Sequence, residues 1–212
     1  MKKENGFDKI YLHENTRILS KFCDGIISDL HKYQMFIDLS QPEELIKSSI
    51  RKSYKSLINW GKRNLKIHIM DSNNLDKPRF DLFENLHLKV SGRKTRSDKT
   101  WELQYQAIKD NEAFLVTASM DGVLVSGNFI SHGIDTAYYG VGVNDRELMA
   151  EKLPIGHYVL YSSILRAKQK GLTSFILGYY SQVEDAKINA ITKYKKGFVN
   201  TLILEPRYLI KI

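Results

Sequence analysis

Two histidines, two arginines and a pair of tyrosines are the side chains here whose types and setting suit chemistry. His87 stands just ahead of a Gly92-Arg-Lys-Thr-Arg96 loop that carries Arg93 and Arg96. An imidazole titrates near neutrality and can serve as a general base, although a structurally satisfied histidine is the plainer reading. The two guanidinium groups can grip a phosphate or carboxylate through paired hydrogen bonds, against the alternative of simple loop charge. His157 closes the stretch Pro154-Ile-Gly-His157. If a helix starts there, the backbone N–H groups of Ile155, Gly156 and His157 form an anion site. The helix dipole would also favour the neutral imidazole of His157. Tyr138 and Tyr139 are neighbours on an apolar run. On a strand they face opposite ways, so one can line a cleft while the other packs.

These groups need a frame, and residues 135–171 supply its centre. The run Thr136-Ala-Tyr-Tyr-Gly-Val-Gly-Val143 reads as a strand, residues 144–152 as a polar gap, and Pro154 to Gly171 as a helix. Pro in the first turn and Gly just past the end are matched helix signals. Ile155, Val159, Leu160, Ile164 and Ala167 recur at helical spacing and predict a face packed on a sheet. Before this centre come a strand at 35–39 and one helix opened by a Ser40-to-Glu43 capping box. That helix carries Ile46, Ile50, Tyr54, Leu57 and Ile58 on one face and Lys47, Arg51, Lys55, Lys62 and Arg63 elsewhere. A strand at 66–70, helices at 80–90 and 101–108, and strands at 113–119 and 123–131 follow, with turns at Asp121-Gly122 and residues 133–135. Beyond the central helix the pattern predicts a strand at 173–177 and a second capping box from Ser181 to Glu184. It opens a helix to Lys196 that Gly197 closes in a left-handed cap, with strands at 201–204 and 208–210 after it. Residues 1–34 are harder to assign: 9–12 suits a short strand and 18–30 is ambiguous.

With 212 residues and ordinary apolar content, the chain can bury one real core. Formal net charge of +8 fits acidic partners such as phosphates, nucleotides, tRNA or an anionic membrane face, as well as plain solubility. Cys23 is the single cysteine, which excludes a disulfide framework and a cysteine zinc cluster, so no metal is expected. No apolar run reaches spanning length and no signal-peptide core follows Met1, so a cytoplasmic protein without a transmembrane segment is expected.

From about residue 35 onward the chain resembles the GNAT-like domain of the FemABX family and its acetyltransferase relatives. The resemblance is carried by Ile50-Arg-Lys-Ser-Tyr-Lys-Ser-Leu-Ile-Asn59, Leu86-His87 with Gly92-Arg93 and Thr95-Arg96-Ser97, Trp101, Tyr138-Tyr139-Gly140, Pro154-Ile-Gly-His157, and Tyr194-Lys-Lys-Gly-Phe198. The last is the most specific, resembling the family's Phe-Lys-x-Gly-Phe. The implied fold is α/β (α+β), with a GNAT-like mixed, largely antiparallel sheet flanked by helices. The implied organisation is an N-terminal remnant or extension over 1–34 and an acyltransferase domain over 35–212. Family members carry two such halves, so a homodimer is one way to complete a site shared between halves.

The implied function is N-acyl transfer from acyl-CoA to an amine of an amino sugar or cell-envelope precursor, with acyl-CoA as co-substrate and no permanently bound cofactor. An aminoacyl-tRNA-dependent Fem-type transferase and a non-catalytic GNAT-like binding module are the alternatives. The family's pyrophosphate pattern is poor here, with Gly156 its one matching glycine, Leu153 in place of Gln or Arg, and Tyr158 in place of the second small residue. Acylating an amine requires removal of a proton from the ammonium, donors for the oxyanion and, in some enzymes, an acid for the leaving group. The resemblance places Lys195 near the reacting centre as an electrostatic stabiliser, alongside His87 and Tyr139 as catalytic candidates. Ile155, Gly156 and His157 would hold the donor, Arg93 and Arg96 the substrate, and Tyr180, with Glu184, lies where GNAT enzymes draw leaving-group acids.

Overall fold

The alternating apolar residues of the stretch 113–143 build the sheet that positions the site. The computed structural model describes residues 9–12, 26–29, 32–181, 185–199, 201–205 and 208–211. In chain order the elements are β1 (Lys9–Leu12), β2 (Ile26–Asp29), β3 (Lys32–Asp38), α1 (Glu43–Ser49), α2 (Lys52–Asn64), β4 (Lys66–Met70), α3 (Lys77–Ser91) and α4 (Asp98–Lys109). Then come β5 (Ala113–Met120), β6 (Val123–His132), β7 (Thr136–Asn144), α5 (Arg146–Ala150), α6 (Ile155–Gln169), β8 (Ser174–Tyr180), α7 (Ala186–Lys196), β9 (Thr201–Glu205) and β10 (Tyr208–Lys211). They form two compact units, Ile37–Leu177 and a second that joins Met1–Phe36 to Gly178–Ile212.

In the larger unit the strand order is β4-β5-β6-β7-β8. The first four strands are antiparallel, and β8 runs parallel to β7. The β5–β6 hairpin turns on Asp121 (φ 51°) and Gly122 (φ 84°), both left-handed as a type I′ turn requires. One sheet face buries Phe129, Val141 and Val143 against Phe80, Phe83 and Trp101 of α3 and α4. Gly127 is needed there, since a Cβ on it would stand 2.7 Å from the Phe83 ring. On the other face lies α6, whose Ile155, Val159, Leu160, Ile164 and Ala167 are all fully buried, as their spacing predicts. The helix ends at Gly171, with φ 82°.

In the smaller unit β10 lies between β1 and β2, antiparallel to both. Strand β3 pairs antiparallel with β9, from Lys32 opposite Glu205 to Phe36 opposite Thr201. Among the described residues of the ambiguous 18–30 stretch, Ile26–Asp29 form a short strand, β2.

Four local expectations are corrected. The Ser40–Glu43 box does not form. Ser40 Oγ donates to Asp38 Oδ1 instead (2.5 Å), Pro42 is the N-cap of α1 without a side-chain cap, and Glu43 accepts from the Tyr161 hydroxyl (3.1 Å). The single helix over this region is two helices with extended backbone at Ile50 and Arg51. Ser48 and Ser49 hydroxyls donate to the Leu45 and Ile46 carbonyls, both at 2.8 Å, and so compete with the next helical turn. The polar gap holds a short helix, α5, capped by Asp145 Oδ1, which accepts from the N–H groups of Glu147 (2.9 Å) and Leu148 (3.3 Å). Helix α7 is Ala186–Lys196, and Asp185 Oδ1 accepts from the Ile188 N–H (3.0 Å); the Ser181–Glu184 box falls on residues 182–184, outside the described residues. At its far end Gly197 is not among the left-handed glycines, and the N–H groups of Gly197 and Phe198 bond back to the carbonyls of Tyr194 and Lys195.

Candidate active site

Tyr139 is positioned by a bulge. Along β7, Tyr139 pairs with Ile130 and Val141 with Phe129, so Gly140 is an extra residue in the ladder. The bulge turns Tyr139 and Gly142 to the same sheet face, where Gly142 leaves room for the phenol. A Cβ on Gly142 would fall 1.6 Å from Tyr139 Oη and 3.2 Å from Asn128 Oδ1. Burial pushes the Tyr139 hydroxyl well above its ordinary pKa, so it stays protonated and acts as a donor. Tyr138 faces the other way and is 45% exposed, the division the adjacent pair predicts.

Asn144 ends the strand and supports the start of α6. Its Oδ1 accepts from Ser126 Oγ at 2.7 Å. A Cβ on Gly156 would stand 2.7 Å from that same oxygen, so Gly156 is required for packing on Asn144. Next to it the His157 ring meets Tyr54 edge-on at 4.5 Å, and Arg51 lies over the Tyr54 ring at 5.2 Å. Burial pushes His157 down to about 4, which keeps it neutral at physiological pH. The His157 N–H donates to the Pro154 carbonyl at 3.3 Å.

His87, Arg93 and Arg96 do come together, lining a cavity of about 120 Å³ between α3 and α4 with Glu84 and Trp101. Arg96 Nη1 donates to His87 Nε2 at 2.7 Å, because a guanidinium has donors only. That bond occupies the lone pair a general base would use. Both groups pack on Trp101, with His87 edge-on at 5.2 Å and the Arg96 guanidinium at 5.6 Å. Burial and the Arg96 charge together lower the pKa of His87.

Lys195 and Tyr180 belong to the smaller unit. Gly178 on β8 has φ 95°, and a Cβ there would lie 3.7 Å from Lys195 Nζ. Burial pushes the Lys195 ammonium down to about 8. Lys193 on the same helix is exposed, and Phe198 packs on Tyr194 at 5.5 Å. Tyr180 has the Lys196 ammonium over its ring at 4.8 Å.

Several contributors escape a reading of the sequence alone: Asn128, Asn144, Gly142 and Gly178. Asn128 is a polar residue inside an apolar strand, 3% exposed, with its amide donating to Ser163 Oγ at 3.3 Å. Gly178 interrupts an apolar run, and a strand glycine marks a bulge or a close approach. Among the described residues no cluster could hold a metal ion, and no helix is long and apolar enough to cross a membrane.

Solved structures share this fold. FemX superposes with a TM-score of 0.62 at 14% identity, over 84% of this chain and 61% of its own. L-PGS from Bacillus licheniformis gives 0.62 at 10% identity, over 96% and 67%. The C-terminal domain of a protein named as a lysylphosphatidylglycerol synthetase, from Agrobacterium fabrum, gives 0.55 at 13% identity, over 86% and 60%. The chain thus spans about three fifths of the length of FemX. No protein-family model matches the sequence, and no curated protein matches it. The fold is FemAB/GNAT-like, as the resemblance implies.

Proposed function

We propose that this FemAB/GNAT-like chain is an N-acyltransferase that moves an acyl group from acyl-CoA to an amine of an amino sugar or cell-envelope precursor. The observation that carries the reading is the end of β7. Its parallel pairing with β8 includes Tyr138 opposite Ile176, and β7 continues through the Gly140 bulge to Asn144, where the N-terminus of α6 follows. A helix start there offers positive potential to a donor's phosphates, and Arg51, stacked on the Tyr54–His157 pair, adds a full charge.

In the reaction the amine nitrogen attacks the thioester carbon, a C–N bond forms, the C–S bond breaks, and the thiol leaves with a proton. Protonated Tyr139 can donate to the oxyanion or the leaving group but cannot take a proton. Within the smaller unit, Lys195, cationic below about pH 8, is the candidate electrostatic stabiliser. His87 positions Arg96 for the acceptor's anionic group, with Arg93 on the same cavity. The amine enters already deprotonated, and positioning supplies the remaining rate.

A second reading, transfer from aminoacyl-tRNA, is favoured by one specific observation. Gly156, the glycine that would bring backbone close to a pyrophosphate, is packed against Asn144. Calorimetry decides between donors. Acetyl-CoA is expected to bind saturably at one site and more weakly to Arg51→Glu. No heat and no melting shift at millimolar acetyl-CoA would remove the first reading and leave the second.

A further inference from the structure

The charge of this chain is concentrated in one place. Between Leu45 and Met70 stand seven Lys or Arg and no Asp or Glu, against a net +8 for the whole protein. Lys47, Arg51, Lys52, Lys62, Arg63 and Lys66 are exposed and Lys55 is half-buried. None of the seven forms an ion pair among the described residues.

Helix α2 organises most of them. Tyr54, Ile58 and Gly61 are its buried side. At 100° per residue, Lys52, Lys55, Ser56, Asn59, Lys62 and Arg63 share the opposite side, with a hydrogen-bond donor on each and no apolar side chain. From Lys52 to Arg63 that row runs about 16 Å. At the start of the helix the placement works against stability. A solvated helix face normally alternates signs at i,i+4, and like charges there repel. Arg51 at the N-cap and Lys52 in the first turn sit at the positive end of the helix dipole, with no acidic residue in that turn. The row is also held in place, since Gly61 lets α2 sit directly on the Tyr158 Cβ of α6. Uncompensated cations on a fixed rod match a phosphate backbone. A bilayer would demand exposed apolar side chains between the charges, and this face has none.

We infer that the outer face of α2, with Lys47, Arg51 and Lys66 around it, docks RNA through its phosphate backbone. This rests on the second reading above and gives the donor's carrier a surface beside the start of α6. The row is longer and more highly charged than the few phosphates of a coenzyme require.

The test is fluorescence anisotropy of a labelled, unacylated RNA stem-loop with a single-stranded 3′ end, titrated with the full chain at several salt concentrations. Contact with about four phosphates predicts a log–log salt slope of roughly −3 to −4. The double variant Lys52→Glu/Arg63→Glu is expected to bind at least tenfold more weakly, with a slope flatter by about 2. Its melting temperature should stay near that of wild type, because Glu at 52 suits the first turn of the helix and offsets the loss of a cation at 63 in the last turn. Equal affinity and slope for variant and wild type overturn the inference. Stronger binding to phosphatidylglycerol vesicles than to RNA overturns it in favour of a membrane face. The RNA carries no acyl group, so failure here leaves acyl transfer from acetyl-CoA standing. RNA binding without transfer from any donor would keep the surface and remove the enzymatic reading.

Discussion

His157 shows how burial decides the chemistry of a side chain. Its pKa falls from the ordinary 6.5 to about 4 because the ring is enclosed beside Tyr54. Between those values the unfolded chain binds a proton that the folded chain refuses, so stability drops as pH falls from 6.5 towards 4. The loss is at most ~3 kcal/mol. Urea unfolding at pH 7 and pH 4.5 measures it, and His157→Gln should lose less than wild type on acidification. Equal losses would mean that His157 is not the group responsible. The neutral imidazole was legible from its place at a helix start, but the stronger cause, enclosure, depends on Tyr54 from a distant helix. His87 is the parallel case. Its nearness to Arg93 and Arg96 was readable, while the hydrogen bond that ties up its lone pair depends on the angle between α3 and α4 and on Trp101.

At the scale of elements, period and punctuation carried most of the fold. The β5–β6–β7 meander, the left-handed turn at Asp121-Gly122 and the buried stripe of α6 all follow from residue order. Helix starts were less legible, because a Ser followed by a Glu three residues later forms a box only if nothing closer claims the hydroxyl. Asp38 claims that of Ser40. Glycines used for close approach were hidden for the same reason, since their partners are distant in sequence. Gly61 is the clearest, where an added Cβ would meet the Tyr158 Cβ at 2.3 Å, an atom tied directly to the backbone. Gly61→Ala should therefore cost about 1–3 kcal/mol by forcing α2 away from α6. Gly133→Ala, with nothing within 4 Å, should stay within about 0.5 kcal/mol of wild type in the same urea titration. Comparable stability of the two variants would mean that α2 is not held at that contact.

The molecule as a whole has a FemAB/GNAT-like fold; its larger unit carries a bulged strand leading to a helix start and a protonated Tyr139, and its smaller unit carries a lysine whose ammonium is depressed to about 8. The central claim is amine N-acylation supported by Lys195. The direct measurement is mass-spectrometric quantification of amide products when the protein meets a mixture of amino sugars and envelope-type amines, with acetyl-CoA and a charged tRNA offered in parallel. The account predicts product from one donor, reduced roughly tenfold to a thousandfold in Lys195→Ala and nearly unchanged in Lys193→Ala, as loss of one electrostatic stabiliser implies. It also predicts that the rate declines above about pH 8, where Lys195 loses its charge, and that Lys195→Arg abolishes that decline. Absence of product from either donor, or equal losses in the two alanine variants, would contradict it.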